Sequence, residues 1–413
     1  MYFIDKAACT GCAACYAVCP ESCIEMKADE EGFLYPEVNE EVCISCDKCR
    51  KVCPVVNKTD CMVEVKKEEA YVVCHKDKEV RLDSSSGGAF TMFAQYVLQR
   101  GGIVCGAGYD DKLNVMHKIC DQFSGLGEFR GSKYVQSEVG GGIFKYVKNT
   151  LQEGRYVLFT GTPCQVEGLL QYLMITYEKL ITLDIACYGV ASISLWKKYI
   201  EDEEKKNEKR IKYLKCRDKS RGWRKWGVVT EYSDESIQDR IQYDDPYISL
   251  YLSHNIMRYS CYQCKFRNIF SKKCDATMAD CWGIEYFSPE MDDDLGASIL
   301  FLHSEKIKKL WLEISSCADV KRVNPYRALQ GNIGAWGKNI PVPKVRRNVY
   351  GDILSMETFE VSTKKYCHIP GKKEKIIKKY PNLYRRYAWM KSISAPLRLR
   401  FLYKKMMRAK ASL

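Results

Sequence analysis

The sequence predicts an α/β protein, α+β overall, in three parts: a small cysteine-rich domain over residues 1–63, an α/β core over 70–348 and a basic tail over 364–413. Three observations predict it. A twelve-residue cysteine pattern occurs twice in the first part, offset by 34 residues. Strand-like and helix-like apolar periods alternate from Ala70 onward, the order of a parallel sheet with crossover helices. The last fifty residues carry sixteen Lys and Arg against one acid, Glu374.

Each element of the core follows from its period. Tyr71-Val72-Val73-Cys74 reads as a strand, and Phe90, Phe93, Ala94, Val97 and Leu98 fall on one helical face. Ile103-Val104-Cys105 and Val157-Leu158-Phe159 are further strands, and Val166, Leu169, Leu170 and Leu173 mark a second helix. Leu180 to Ala186 is a strand followed by a helix at Leu195 to Ile200, and Glu201 to Arg210 reads as a solvated charged run. Residues 64–69 (EVKKEE) suit a linker, and 211–348 mix short strands with aromatic-rich loops.

Composition narrows the function. The chain has 413 residues, 46% of them hydrophobic and 28% charged, enough for two or three domains at roughly 150 residues each. The net charge of +13 is a property of the tail, which sums to +15 and leaves the other 363 residues near −2. A basic nucleic-acid-binding body is therefore not expected. Twenty-two cysteines stand against five histidines. Cys9 follows a start with no apolar stretch of signal-peptide length, and no window approaches the ~18–20 apolar residues of a membrane span. Thiols in a reducing compartment are more often metal ligands than disulfides. The expected location is cytoplasmic, peripheral to the inner membrane surface if the tail engages it.

CTGCAACYAVCP (Cys9 to Pro20) and CISCDKCRKVCP (Cys43 to Pro54) both read C-x2-C-x2-C-x3-C-P. The short gaps let three thiolates of one loop reach one iron–sulfur cubane, and the fourth cysteine, before proline, ligates the partner cluster. The pattern thus assigns Cys9, Cys12, Cys15 and Cys53 to one [4Fe–4S] cluster and Cys43, Cys46, Cys49 and Cys19 to a second. Paired CxxC units also bind zinc, but zinc accounts neither for the third cysteine of each triplet nor for the proline. The segment resembles a bacterial-type dicluster ferredoxin. Cys23 and Cys61 fall outside the motif and read as small core thiols.

Two more cysteines end strands: Cys164 in FTGTPCQ and Cys187 in DIACYG. Parallel neighbouring strands about 4.8 Å apart would put both thiols at one carboxyl edge, where open α/β sheets hold ligands. Cys261 and Cys264 supply a CxxC loop that would close such a site; four unrelated core cysteines are the alternative. Ser84-Ser85-Ser86-Gly87-Gly88 precedes the helix of Phe90, so its serines can cap and its glycines can let amides approach a phosphate. Thr160-Gly161-Thr162 follows the same logic, and Lys133 can neutralise a phosphate or lie near a ring. Asp184 and Asp280 are candidates for polar contacts with a cofactor, with structural turns as the alternative. No G-x-G-x-x-G follows a strand, so a Rossmann nicotinamide site is not indicated.

Residues 70–300 resemble the beta subunits of coenzyme F420 hydrogenases and dehydrogenases. SSGGAFT (85–91), GSKYVQS (131–137), FTGTPCQ (159–165), DIACYG (184–189), SCYQC (260–264) and CDATMADCWG (274–283) carry the resemblance. It implies FAD beside one [4Fe–4S] cluster held by Cys164, Cys187, Cys261 and Cys264, with Ser85, Gly87, Gly88, Lys133, Thr160, Gly161 and Thr162 as flavin-contact candidates. Tyr188 departs from a histidine common in bacterial members, and Ala279 and Cys281 depart around Asp280. Cys274 and Cys281 read as core thiols rather than spare ligands. The implied activity is a flavin- and iron–sulfur-dependent oxidoreductase that exchanges electrons between ferredoxin-type clusters and a two-electron substrate, such as the deazaflavin coenzyme F420 or another small molecule. The alternative is a subunit that only relays electrons to a separate catalytic partner. Expected partners are a redox protein (a ferredoxin or a catalytic subunit) or the deazaflavin. The tail interleaves bases with Trp389, Leu397, Phe401 and Leu402, which suits an anionic membrane surface. A disordered tail or docking arm, and contact with single-stranded nucleic acid, are the alternatives.

Overall fold

An eight-stranded mixed sheet organises the computed structural model, which describes residues 4–57, 68–332, 335, 337, 339–355 and 357–367. In chain order the first elements are helix α1 (Ala14–Val18), the hairpin β1 (Ile24–Ala28) and β2 (Leu34–Val38), and helix α2 (Lys48–Lys51). The core begins with β3 (Glu69–His75), α3 (Lys78–Asp83), α4 (Ala89–Leu98), β4 (Ile103–Tyr109) and β5 (Val115–Cys120). It continues through α5 (Gly141–Gln152), β6 (Val157–Gly161), α6 (Pro163–Leu173), β7 (Leu180–Ile185) and α7 (Ile193–Asn207). A separate three-stranded antiparallel sheet follows, β8 (Ile211–Asp218), β9 (Gly227–Tyr232) and β10 (Ile237–Ile241), then α8 (Pro246–Leu252) and α9 (Tyr259–Tyr262). The large sheet is completed by β11 (Ala276–Asp280), β12 (Ser298–Leu302), helix α10 (Glu305–Ile314) and β13 (Ala318–Val323).

The strand order is β13-β3-β12-β11-β7-β6-β4-β5. Strands β4, β6, β7 and β11 run parallel, whereas β5, β12, β3 and β13 each pair antiparallel with a neighbour. The all-parallel expectation thus holds only for the centre. Apolar period fixes which face a strand residue takes, not the direction of the strand. Strand β12, Ser298-Ile299-Leu300-Phe301-Leu302, is buried at every position, as a strand covered on both faces must be. One face packs α4 and α10 through Phe93, Val97, Ile307 and Trp311 against Val104, Leu158 and Leu183. The opposite face packs α5 and α6 against Ile103, Cys105 and Phe159, and α1 joins the same apolar cluster through Ala14 and Ala17. The N-terminal segment therefore shares a core with the sheet, and residues 1–365 form one compact unit.

The charged run at 201–210 is solvent-facing as expected at all but one position, yet it is helical rather than a break after Ile200. Helix α7 continues through it to Asn207, and Glu203 is buried against the Arg240 guanidinium. No described helix is long and apolar enough to cross a membrane. Cys61, most of the expected linker and nearly all of the basic tail lie outside the described residues.

Candidate functional site

The cysteine repeat is a repeat of backbone as well as of sequence. Gly11 and Ala13 of the first loop have φ of 67° and 63°, and Ser45 and Asp47, 34 residues on, have φ of 52° and 58°. Left-handed residues on either side of the second cysteine turn successive sulfurs toward one point, at a cost that non-glycine residues bear only where surroundings impose it. The first set encloses a small cavity lined by Cys9, Cys12, Cys15 and Cys53, the last arriving from the other repeat beside Pro54. Burial and the neighbouring sulfurs push the Cys12 and Cys15 thiols well above their ordinary range. In the second set, Cys43 and Cys49 pack at the edge of the patch holding Cys15, Cys19 and Cys23. Cys49 feels Cys46 and Cys43 as like charges. Cys46 is exposed.

The third group assembles at the carboxyl edge of the sheet. Strands β6 and β7 are parallel neighbours, with Gly161 opposite Asp184. Cys164 lies in the first turn of α6, whose capping box pairs Thr162 with Gln165; the Thr162 hydroxyl is 3.2 Å from its sulfur. Cys187 leaves the end of β7, Cys261 sits on α9, and Cys264 follows it. Burial first, then Cys264, pushes Cys164 up to about 11; burial, Cys264 and Cys164 push Cys261 up to about 12. Cys187 rises for the same reasons. For Cys164, Cys187 and Cys261, burial and neighbouring sulfur both oppose the thiolate, which a positive centre among them would favour. Among the described residues no three His, Cys, Asp or Glu side chains converge on a position for one metal ion. Four thiols are the donor chemistry that a [4Fe–4S] cubane takes.

Beside the third group opens a cavity of about 660 Å³, within the span of cofactor pockets. Ser85, Gly88, Lys133, Thr160, Gly161 and Thr162 line it, as do Cys187 and Tyr188. Gly87 stands apart: its N–H donates to Ser298 Oγ at 2.8 Å, and a Cβ there would lie 2.2 Å from the Val73 carbonyl. Its glycine serves close backbone packing, not a ligand. The serines do not cap α4, whose N-cap is Gly88 with φ of 86°; Ser85 bonds Ser132, and Ser86 bonds Ser298. Lys133 is not a free counter-charge. Its ammonium donates to the carbonyls of Glu128, Arg130 and Gly131 at 3.0, 2.9 and 3.3 Å, and burial lowers its pKa to about 7. Asp184 misses the cavity and is buried in an ion pair with Lys272 at 2.7 Å. Asp280 does line it, bound to Arg217 at 2.8 Å. Cys274 and Cys281 are buried core thiols.

The β8–β9–β10 sheet brings residues that motif reading missed. Arg217, on β8, is buried beneath the indoles of Trp226 and Trp282, 4.6 and 5.4 Å from their centroids. Its terminal nitrogens serve Asp280 and Ser85, while its Nε has no partner. Gln242 Oε1 and His254 Nδ1 are also buried and unpartnered, and all three residues line the cavity. Orphaned buried polar atoms cost about 1–3 kcal/mol each unless a bound group meets them. Their convergence fits a cavity built around a polar ligand.

Motif GSKYVQS ties this cavity to the N-terminal segment. Gln136 Nε2 donates to the Thr10 carbonyl at 3.1 Å, and Arg258 donates to Gln136 Oε1, Cys9 O and Leu34 O at 3.0, 2.8 and 3.0 Å. Cys12 lies against α6 one turn below Cys164, so close that a Cβ on Gly168 would come 3.0 Å from its sulfur.

Two family models match the chain. Residues 154–325 match the C-terminal part of the beta subunit of coenzyme F420 hydrogenase/dehydrogenase, and residues 8–57 match a 4Fe-4S dicluster domain. The core of the chain thus carries the C-terminal part of a coenzyme F420 hydrogenase/dehydrogenase beta subunit, behind a dicluster domain. That dicluster domain makes the chain an iron–sulfur redox protein. The first match spans Cys164, Cys187, Cys261 and Cys264, and the second spans both N-terminal cysteine quartets. Over 63 residues the chain is 32% identical to ketoisovalerate oxidoreductase subunit VorC of Methanothermobacter marburgensis, covering 15% of this chain and 80% of that protein. A chain from the xenon-derivatised F420-reducing [NiFe] hydrogenase complex of Methanosarcina barkeri aligns at 17% identity with a TM-score of 0.44. That alignment covers 68% of this chain and 91% of the other.

Proposed function

We propose that this chain is an iron–sulfur flavoprotein oxidoreductase that exchanges electrons between ferredoxin-type clusters and FAD in the 660 Å³ cavity, serving a two-electron substrate such as a deazaflavin. The observation that carries the reading is continuity. The Cys9–Cys12–Cys15–Cys53 set meets α6 at Cys12, Cys164 stands one turn away, and Cys187 of the same group lines the cavity wall. When bound, [4Fe–4S] clusters exchange single electrons and a flavin exchanges two, so the set converts between one- and two-electron chemistry.

Cys164, Cys187, Cys261 and Cys264 would hold the core cluster, and the two crossed quartets would hold the N-terminal pair. Gly88, Thr160, Gly161 and Ser85 would present amides and hydroxyls to the dinucleotide. Arg217 Nε and Gln242 Oε1 supply one donor and one acceptor to a bound group, and the flanking indoles supply planar surfaces and exclude water. His117 is held neutral behind the wall. Burial lowers its pKa to about 4, and its two nitrogens are occupied by Ser137 at 2.7 Å and the Thr160 carbonyl at 3.0 Å. It orients the Thr160 strand end rather than moving a proton.

Anaerobic purification followed by iron and flavin counts tests the reading. About twelve irons and one FAD per chain are expected from three cubanes and one cavity. Eight irons without flavin would overturn the core assignment and leave a relay that passes electrons to a separate catalytic subunit.

A further inference from the structure

A buried polar string crosses four neighbouring strands, β7, β11, β12 and β3, outside the cavity. The register sets Asp184 of β7 opposite Thr277 of β11, while His303 follows β12 and Glu68 precedes β3. The Thr277 hydroxyl donates to Asp184 Oδ1, and Asp184 Oδ2 accepts from the Lys272 ammonium at 2.7 Å. On the far side, His303 Nε2 lies 2.8 Å from Thr277 Oγ1, and its Nδ1 lies 2.8 Å from Glu68 Oε2. All five side chains are buried. A hydroxyl has one proton. Thr277 gives its own to Asp184, so His303 Nε2 must donate to Thr277, and the contact between Nδ1 and Glu68 holds one further proton. The His303–Glu68 pair is therefore neutral as a whole, and the charges that remain are the Asp184 carboxylate and the Lys272 ammonium. The ammonium is the end that faces the third sulfur group. Its second hydrogen bond, at 2.9 Å, goes to the Phe266 carbonyl, two residues beyond Cys264. Burial opposes its charge, but Asp184, Cys274 and Cys264 outweigh that and hold its pKa above the ordinary lysine value.

We infer that the buried Lys272–Asp184 pair tunes the core cluster of the reading above, on which the inference rests: the ammonium raises the cluster's reduction potential, and the carboxylate, held by Thr277, limits how far. A reduced cubane carries one more negative charge than an oxidised one, so a fixed positive charge nearby favours the electron's arrival. Solvent does not screen this charge, because both partners are buried. The Cys164 group stands between Cys12 and the cavity wall at Cys187, so its potential decides whether electrons rest there or pass on. Lys272 and Asp184 are thus positioning residues that touch neither flavin nor substrate. They act through charge alone, with no bond made or broken.

The test uses the full chain, purified anaerobically as wild type, Lys272→Met, Asp184→Asn and Lys272→Met/Asp184→Asn. Iron per chain is counted, and each cluster is titrated against applied potential by low-temperature EPR. The core signal is the one that Cys261→Ala removes. Lys272→Met should make the core cluster harder to reduce, by about tenfold or more in its reduced-to-oxidised ratio at a fixed potential, which is about 59 mV for one electron. Asp184→Asn should shift the ratio the opposite way, and the double variant should fall between the two. The N-terminal signals should move far less in every variant, which separates charge from general damage. A core midpoint that stays put, or that moves in the same direction in both single variants, would overturn the inference. Should Lys272→Met lose its core iron, Asp184→Asn and the double variant decide, since they differ only at the lysine; equal midpoints would overturn the inference. A wild-type chain with eight irons and no signal lost in Cys261→Ala would instead overturn the cluster reading.

Discussion

Replacing Arg258 by Met tests the joint between the N-terminal cysteines and the core. The guanidinium is fully buried, donates to Cys9 O, Leu34 O and Gln136 Oε1, and lies 4.0 Å from the Tyr35 ring centroid. Methionine keeps the apolar stem but ends near the position of Nε, and it leaves three buried acceptors without a donor. Each costs about 1–3 kcal/mol, and the lost cation–π contact adds about 0.5–2. Relief from burying a charge returns part of this, leaving a net loss of about 2–5 kcal/mol. A unit larger than 250 residues shifts by no more than about 2–4 °C per kcal/mol, so the midpoint should fall by roughly 5–10 °C. Thermal unfolding followed by cluster absorbance and tryptophan fluorescence reads both sides of the joint. Arg258→Lys, with one donor group in place of a fork, should fall between. A methionine variant that melts with wild type, its cluster absorbance unchanged in air, would refute the argument.

Cys53→Ala should bleach the signal of the Cys9, Cys12 and Cys15 set and spare that of Cys43, Cys46 and Cys49, because Cys53 lines the cavity of the first repeat; EPR of the reduced protein decides, and loss from its own repeat would mean uncrossed ligation. Burial lowers Lys133 to about 7 from 10.5, so between those values the unfolded chain holds a proton that the folded chain lacks. Stability from this group therefore rises with pH across that window, by about 1.4 kcal/mol per unit. Urea midpoints at pH 7 and 9 should separate further in wild type than in Lys133→Met, and equal separations would contradict the burial account. Removing residues 368–413 takes away fourteen bases and one acid. Sedimentation with anionic vesicles should show salt-sensitive binding by the full chain only, with flavin content unchanged; loss of flavin on truncation would make the tail part of the fold.

Spacing made the sulfur chemistry legible, because ligation needs particular residues at particular intervals within a loop. The neighbouring parallel strands that carry Cys164 and Cys187 were legible for a similar reason: both end in short turns after apolar runs. Strand direction was not legible. Strand β3 precedes every other strand of the large sheet yet sits between β12 and β13, and only the returning chain decides that. Arg217 and Gln242 were illegible because β8 to β10 alternate polar and apolar residues like any exposed hairpin. Nothing local says that Arg217 is covered by Trp282 from 65 residues later. Gln136 lay within a quoted motif, but its partners, Thr10 and Arg258, are more than 120 residues away on either side.

The two cysteine repeats are near-equivalent in sequence and in backbone angles, so any difference between the sites they would form comes from what each packs against. The first repeat turns Cys12 into α6, within one turn of Cys164, and buries Cys9, Cys12 and Cys15. The second leaves Cys46 exposed, with Ile44 and Val42 on the surface and Lys48, Arg50 and Lys51 along α2. On the proposed reading this asymmetry orders the route: the Cys43–Cys46–Cys49 set faces an outside partner, the Cys9–Cys12–Cys15 set faces the core, and the cavity lies beyond Cys187. On the same reading, burial would also separate the two sets in potential, since hydrogen bonding and solvent exposure at the sulfurs tune a cluster. A duplicated motif thus gains direction from its packing alone.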